Sequence, residues 1–372
     1  MAKKNNPFIT VIATIIASVI GYVCGFGLYV KLDQNKTMEA SDRYVSGELT
    51  IHHPELGSYY TGDCTIVKVG DVEVLIDAGS KKESIDTIDT YVKSVCEDGI
   101  LEYVVVTHAH EDHYACFSVS DANGDSLFNR YQIGTIIDFA QTNQKLETAG
   151  GNKTMYSYYL EERQQAIEAG ATHYSAKQVV DSGNNVFELS STVTMTILDQ
   201  KYYHEKDSSG ENNHSVCTLF TQNETKHFLF TGDLEEKGEE SLAALNDLPE
   251  VEVYKAGHHG SKTSSHNVLL EEIKPKVVTV CCCCGSAEYT DTENNKFPTQ
   301  DFINRVAVYT KQIYVTTIVV SDDSKTYQSM NGNIVITSNS SGVIVDCSNN
   351  NTILKETAWF KDNRTWPSNG VN

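Results

Sequence analysis

The chain has 372 residues with 50 Asp and Glu against 29 Lys and Arg, and its formal charge of -21 opposes tight, general coating of a nucleic acid unless bound cations reverse the field locally. Hydrophobic residues make up 40% and charged residues 21%, ordinary globular usage that excludes wholesale disorder, collagen and a polytopic membrane protein. The length suits one large α/β domain with appendages, or two modest domains.

Residues 1–7 carry Lys3 and Lys4 and lead into Phe8–Val30, which holds no charged side chain. At about 1.5 Å per residue such a helix spans the roughly 30 Å hydrocarbon layer, and it exceeds the apolar core of a secretory leader. The expectation is an uncleaved transmembrane helix over 8–30, with a cleaved signal peptide as the alternative. Lys3 and Lys4 place the N-terminus in the cytoplasm, so the protein is expected to be single-pass in the cell membrane with its large domain extracytoplasmic. Residues 31–46 are polar and read as a linker.

From residue 47 the chain alternates strand and helix patterns. Thr65–Val69 and Val72–Ile76 flank Gly70-Asp71 as a hairpin, and Ile85, Ile88, Val92 and Val95 recur at helical spacing. Tyr103–Val106 is a buried-type strand and Tyr158–Ala169 a helix. In the second half Val193–Ile197, Val216–Phe220, His227–Phe230, Val251–Tyr254 and Lys276–Val280 read as strands, with helices near Glu235–Leu245, Ser264–Ile273 and Thr299–Val308. Hairpins that open each half and strands that then alternate with helices fit a four-layer α/β sandwich over residues 47–310, two mixed sheets back to back with helices outside. Residues 311–355 read as a terminal β-meander completing the domain, and the tail 356–372, with Trp359 and Trp366, as a segment packed on it. Four of the ten cysteines form the run Cys281–Cys284. Their side chains alternate along a strand, so they cannot all face one metal and read as small apolar residues of a buried strand.

The chemistry concentrates directly after Val104–Val106, in Thr107-His108-Ala109-His110-Glu111-Asp112-His113. A strand that ends abruptly in a loop can aim two imidazoles at one cation and the following carboxylate and imidazole at a second one nearby. Further candidates lie beyond other strands: Asp233 in Thr231-Gly-Asp233, where Gly232 lets the backbone approach closely, and His258 and His259 in Lys255-Ala-Gly-His-His-Gly260.

These motifs resemble the metallo-β-lactamase fold, in the branch found as the soluble domain of ComEC-type DNA-uptake proteins. The resemblance runs through Gly62-Asp63, Leu75-Ile-Asp-Ala-Gly79, His108–His113, Thr231–Asp233 and Gly257–Ser265, roughly Gly47 to Val308. It implies that His108 and His110 bind one metal and Asp112 and His258 the second. Asp233 would bridge them and His113 complete the second site. His259 would act behind the ligands or on the substrate, and Asp77 would support the site by hydrogen bonds. For a third ligand of the first metal the resemblance leaves His214 or Glu211. Related sequences carry a His-Pro pair where this chain has Phe297-Pro298.

The implied activity is hydrolysis by a hydroxide bridging two divalent ions, zinc first and manganese as the alternative, with no Ser or Cys nucleophile. Asp112 and His259 are the candidate catalytic groups beside the ligands. Lys262-Thr263-Ser264-Ser265 leads into a helix whose N-terminal amides would favour a phosphate, although Ser264 also reads as a plain helix cap. The expected substrate is a small or polymeric phosphodiester. A phosphocholine or teichoic-acid esterase of the cell envelope is the alternative enzyme, and a non-catalytic metal-binding scaffold the alternative of another class. Strong acidity argues against a complete DNA importer, and the His-His-Gly-Ser-Lys stretch against a true β-lactamase.

Overall fold

The computed structural model of the chain describes residues 49–118 and 125–372. The expected membrane span over 8–30, with residues 1–7 and the linker 31–46, lies outside the described residues. Among the described residues no helix is long and apolar enough to cross a membrane.

Alternation of side chains along extended backbone sorts the apolar residues into two cores. In Lys226–Phe230, Phe228 and Phe230 pack with Leu49, Ile66, Leu75 and Val104 in one core, while Leu229 joins Leu219, Leu269 and Phe302 in another. The first core therefore lies largely between two sheets, and the second between one sheet and the helices Glu236–Leu245, Asn267–Ile273 and Gln300–Val306. The cysteine run follows the same rule: Cys282 and Cys284 continue the row of Val278 and Val280 toward the second core, and all four cysteines are buried.

The strands in chain order are β1 Leu49–His53, β2 Cys64–Val69, β3 Val72–Ala78, β4 Ile100–Val106, β5 Gln132–Asp138, β6 Thr172–Ser175, β7 Val186–Glu188 and β8 Val193–Leu198. They continue as β9 Cys217–Gln222, β10 Lys226–Phe230, β11 Val253–Lys255, β12 Val277–Cys284, β13 Ile313–Ser321, β14 Thr326–Ser329, β15 Ile334–Asn339 and β16 Gly342–Cys347. Two eight-stranded sheets result, in the orders β16-β15-β1-β2-β3-β4-β5-β6 and β14-β13-β12-β11-β10-β9-β8-β7. The chain is an α/β two-sheet sandwich. Strands β3 to β6 are parallel, as are β10 to β13, and the outer strands pair antiparallel. In each parallel block the loops that carry chemistry leave the carboxyl ends of the strands, the usual place for a ligand in such sheets.

Residues 311–355, expected as one meander, are divided between the sheets. β13 pairs with β12, whereas β15 pairs with β1 through Ile336 opposite Ile51. The physical reason is burial: Ile334 and Ile336 fill the first core, while Ile313 and Val315 fill the second. The tail packs back on the domain through Phe360 and through Arg364, whose guanidinium donates to the carbonyl oxygens of Pro298, Lys296 and Glu293.

Candidate metal centre

Thr107 sets the course of the chain beyond β4. Its N–H and Oγ1 donate to the two carboxylate oxygens of Asp77 at 2.8 and 2.7 Å, tying the ends of β3 and β4 together. Asp77 lies at φ 57°, in the left-handed region that non-glycine residues avoid. Two residues on, Gly79 passes so close to the next loop that a Cβ there would stand 2.2 Å from the Asp112 carbonyl carbon. The short helix Glu111–Tyr114 is thereby pressed onto the end of β3, and His113 Nδ1–H donates to Asp77 Oδ2 at 2.7 Å.

The second sheet supplies its groups in the same manner. Beyond β10, Gly232 at φ 53° turns the chain where a Cβ would meet Ser215 Oγ and Thr107 Cβ at 2.8 Å, and the Asp233 N–H donates to Ser215 Oγ at 3.0 Å. Beyond β11, His258 and His259 both take positive φ, 46° and 54°. Two consecutive residues in that region store backbone strain, the kind of local cost that clusters at functional sites. His259 Nδ1–H is fixed by the Cys281 carbonyl at 2.9 Å, which leaves Nε2 to face the interior.

The loops converge. His113 Nε2 stands 3.2 Å from Asp233 Oδ2, and His259 Nε2 stands 3.3 Å from both Asp233 Oδ2 and Asp112 Oδ2. His108 Nε2 lies 4.0 Å from Asp233 Oδ2 and 3.0 Å from His110 Nδ1. One ligand atom each from Asp63, His113, Asp233 and His259 all fall within 4.8 Å of one another. Asp63 Oδ1, His113 Nε2, Asp233 Oδ1 and His259 Nε2 are buried without a hydrogen-bond partner. Buried polar atoms left unsatisfied are costly, and the imidazoles and carboxylates of these four residues are donors of the kind that hold a divalent cation. In both histidines the other ring nitrogen is held by an oxygen, the arrangement that orients an imidazole for a metal.

The electrostatics agree. Burial alone would drive His113 and His259 to lose their protons, yet Asp233, with Asp77 beside His113 and Asp63 beside His259, holds both well above the usual imidazole range. His108 is pushed well below that range by burial and by the neighbouring His113 and His110. Against the burial that opposes it, Asp233 is held far down by His113, His259 and His258. Protons here do what a cation would do, neutralising clustered carboxylates.

The expectation gave His258 to the second cation and kept His259 behind; both rings reach Asp233 Oδ2, His259 Nε2 at 3.3 Å and His258 Nε2 at 3.9 Å. His258 is 21% exposed and its Nδ1 pairs with Thr263 Oγ1 at 2.9 Å. His214 does not present a free nitrogen: Nε2 accepts from the Asp207 N–H at 3.0 Å, and Nδ1 pairs with Glu211 Oε2 at 3.2 Å. Glu211 in turn accepts from Asn143 N–H and Thr142 Oγ1. Just before Asn267–Ile273 the buried Glu239 carboxylate accepts from the N–H groups of Ser265 and His266, which places a carboxylate beside the expected phosphate seat. Ser264 donates to the Leu234 carbonyl and is not the cap of that helix.

Two functional candidates escaped the sequence. Asp63 joins the cluster and forms a buried ion pair with Lys255. Tyr289 donates its hydroxyl to Asp112 Oδ2 at 2.6 Å from a loop with no motif. The Asp of Gly62-Asp63 and the lysine before Gly257-His-His-Gly were visible, but nothing local said that they meet.

No family model matches the chain. Recombination protein 2 of Haemophilus influenzae is 35% identical over 77 residues, 21% of this chain and 9% of the relative. ComE operon protein 3 of Bacillus subtilis is 33% identical over 76 residues, 20% of this chain and 9% of the relative. The chain thus spans 9% of the length of the curated relatives it matches. Among solved structures, a long form of RNase Z from yeast gives a TM-score of 0.38 at 13% identity, covering 73% of this chain and 40% of that one. An isothiocyanate hydrolase from Delia radicum gut bacteria gives 0.38 at 11% identity, covering 73% and 96%. The metallo-β-lactamase fold protein YhfI of Bacillus subtilis gives 0.32 at 14% identity, covering 57% and 71%. The chain is similar to metallo-β-lactamase fold proteins and, over about a fifth of its length, to recombination protein 2 and ComE operon protein 3.

Proposed function

We propose that the protein is a metal-dependent hydrolase of phosphodiesters, anchored in the cell membrane by residues 8–30 with its active domain outside. The observation that carries the hydrolase reading is the buried set Asp63, His113, Asp233 and His259, of which His113, Asp233 and His259 follow the carboxyl ends of β4, β10 and β11 and Asp63 precedes β2. His108, His110 and Asp112 stand beside that set and offer ligands for a second cation. Zinc suits the mixed imidazole and carboxylate donors, and manganese is the second candidate. Bound divalent cations supply an acidified water nucleophile and neutralise charge on phosphoryl oxygens.

The chain's own residues do the rest. Asp77 and the Cys281 carbonyl hold His113 and His259 in one orientation. Lys255 offsets part of the negative charge of Asp63 beneath the centre. Phe297, 9% exposed, sets its ring 5.7 Å from that of His258 and 6.1 Å from that of His259, an apolar wall beside the two imidazoles. A nucleophilic side chain is not required, and the buried thiols Cys116 and Cys217 are pushed up by burial, away from the reactive thiolate form.

The test is the full chain in detergent, loaded with zinc or manganese and offered bis-p-nitrophenyl phosphate, single-stranded DNA and nitrocefin. Cleavage of the first or second supports the reading. Inertness toward all three with metal bound at one or more ions per chain would leave a non-catalytic metal-binding scaffold.

A further inference from the structure

The loop between β12 and the helix Gln300–Val306 is pinned along its length. Gly285 N–H donates to the Phe297 carbonyl at 2.8 Å and closes its base. Ala287 N–H donates to Asp322 Oδ1 at 2.9 Å, and the Glu288 carboxylate accepts from Thr61 N–H at 2.7 Å. Arg364 holds the far side through the Glu293, Lys296 and Pro298 carbonyls.

On this fixed loop Tyr289 is 52% exposed, yet its hydroxyl reaches inward to Asp112 Oδ2. Its ring lies 5.4 Å from that of Phe297, which in turn lies 6.1 Å from His259. Packing on Phe297 holds the half-exposed ring, and from that seat the hydroxyl is directed at Asp112 Oδ2. The hydroxyl is one hydrogen bond away from the cluster, because the same Asp112 Oδ2 is 3.3 Å from His259 Nε2. Asp112 is a weaker acceptor once it ligates a cation, and an anionic phosphoryl oxygen arriving at the centre is a stronger one.

We propose that Tyr289 is a substrate-binding residue whose hydroxyl passes its hydrogen bond from Asp112 to a non-bridging phosphoryl oxygen, with Phe297 as the platform that holds its ring. The inference rests on the reading of this centre as a phosphodiesterase. No proton is transferred: the phenol donates a hydrogen bond before and after.

Tyr289→Phe removes the hydroxyl and keeps the ring. Its metal content and metal affinity, measured by atomic emission and by competition with a chromogenic chelator, are expected to match those of the unaltered full chain. Its kcat/KM on bis-p-nitrophenyl phosphate is expected to fall roughly tenfold to a hundredfold, the range for a lost hydrogen bond to a charged group, and inhibition by inorganic phosphate to weaken by a similar factor. Unchanged kcat/KM and unchanged phosphate inhibition would overturn the proposal. So would a fall in metal affinity that matches the fall in activity, since the hydroxyl would then serve Asp112 alone. If the unaltered protein holds metal and cleaves no diester, the phosphodiesterase reading falls. Calorimetric binding of inorganic phosphate to the two proteins then decides Tyr289 separately, equal affinities sinking it and a tenfold or greater loss in Tyr289→Phe upholding it.

Discussion

Lys255 and Asp63 stand 192 residues apart in sequence and form an ion pair beneath the cluster, with side chains 4% and 3% exposed. The pair links β11 to the start of β2, and therefore the two sheets, directly under the candidate ligands. Asp63 holds the lysine above its ordinary range against the burial that opposes its charge, and Lys255 helps hold the Asp63 carboxyl down.

Removing one partner of such a pair leaves an uncompensated buried charge. Lys255→Met is expected to cost about 3–5 kcal/mol of stability. The double variant Lys255→Met/Asp63→Asn should recover part of that loss, because neither charge is then stranded. Thermal unfolding of the three proteins measures it, and a double variant no more stable than the single one would contradict the pairing.

Asp77 orients His113 from behind, so Asp77→Asn should weaken metal affinity about 10- to 100-fold while the fold survives. His214→Gln provides the contrast. The His214 ring is engaged by Asp207 and Glu211, and metal stoichiometry in that variant should match the unaltered protein. Loss of an ion in His214→Gln would restore it as a ligand.

Cation binding should release protons. His113 and His259 are held protonated by the surrounding carboxylates, so each must give up a proton before Nε2 can ligate. Because the metal-free state binds the extra protons, affinity rises with pH and falls as pH drops, by about tenfold per pH unit for each proton released and so about a hundredfold when both imidazoles give one up. Titration with a chelating indicator at pH 6 and pH 8 checks the slope, and equal affinity at the two would refute it. Stripping the metal should also lower the melting temperature, since a ligand at a hundred times its dissociation constant stabilises by about 2.7 kcal/mol.

Away from the centre, burial pushes the Glu102 carboxyl from its ordinary 4.5 up to about 7. The folded state then binds this proton more tightly than the unfolded chain. The stabilisation is complete below about pH 4.5 and is lost as pH rises toward 7. Glu102→Gln should flatten that fall by about 1 kcal/mol, discounted for solvent at a half-buried site. Melting curves at pH 5 and pH 7.5 for both proteins show it, and parallel losses would rule out Glu102 as the source.

The run His108–His113 was legible because its groups are crowded within one turn at a strand end, where chain geometry alone forces them together. Asp233 and the His258-His259 pair were legible as strand-end residues, and the hairpin at Gly70-Asp71 and the helix over Ile85–Val95 from local patterning. The 3.3 Å approach of His259 Nε2 to Asp233 Oδ2 was not. It depends on two consecutive left-handed residues and on the Cys281 carbonyl of a neighbouring strand, and neither belongs to local periodicity.

What the sequence determined by itself is thus the inventory: two mixed sheets, a histidine-rich loop after β4, and carboxylates and imidazoles after other strands. Only the tertiary structure decided which atoms meet. Asp63 with Lys255, Tyr289 with Asp112, and Glu239 with the Ser265 and His266 N–H groups are all contacts between distant elements. A side chain's local pattern fixes its face and its strand end. Its partner is set by how the sheets pack and by which loop is pinned over them, a property of the whole core that no short stretch encodes.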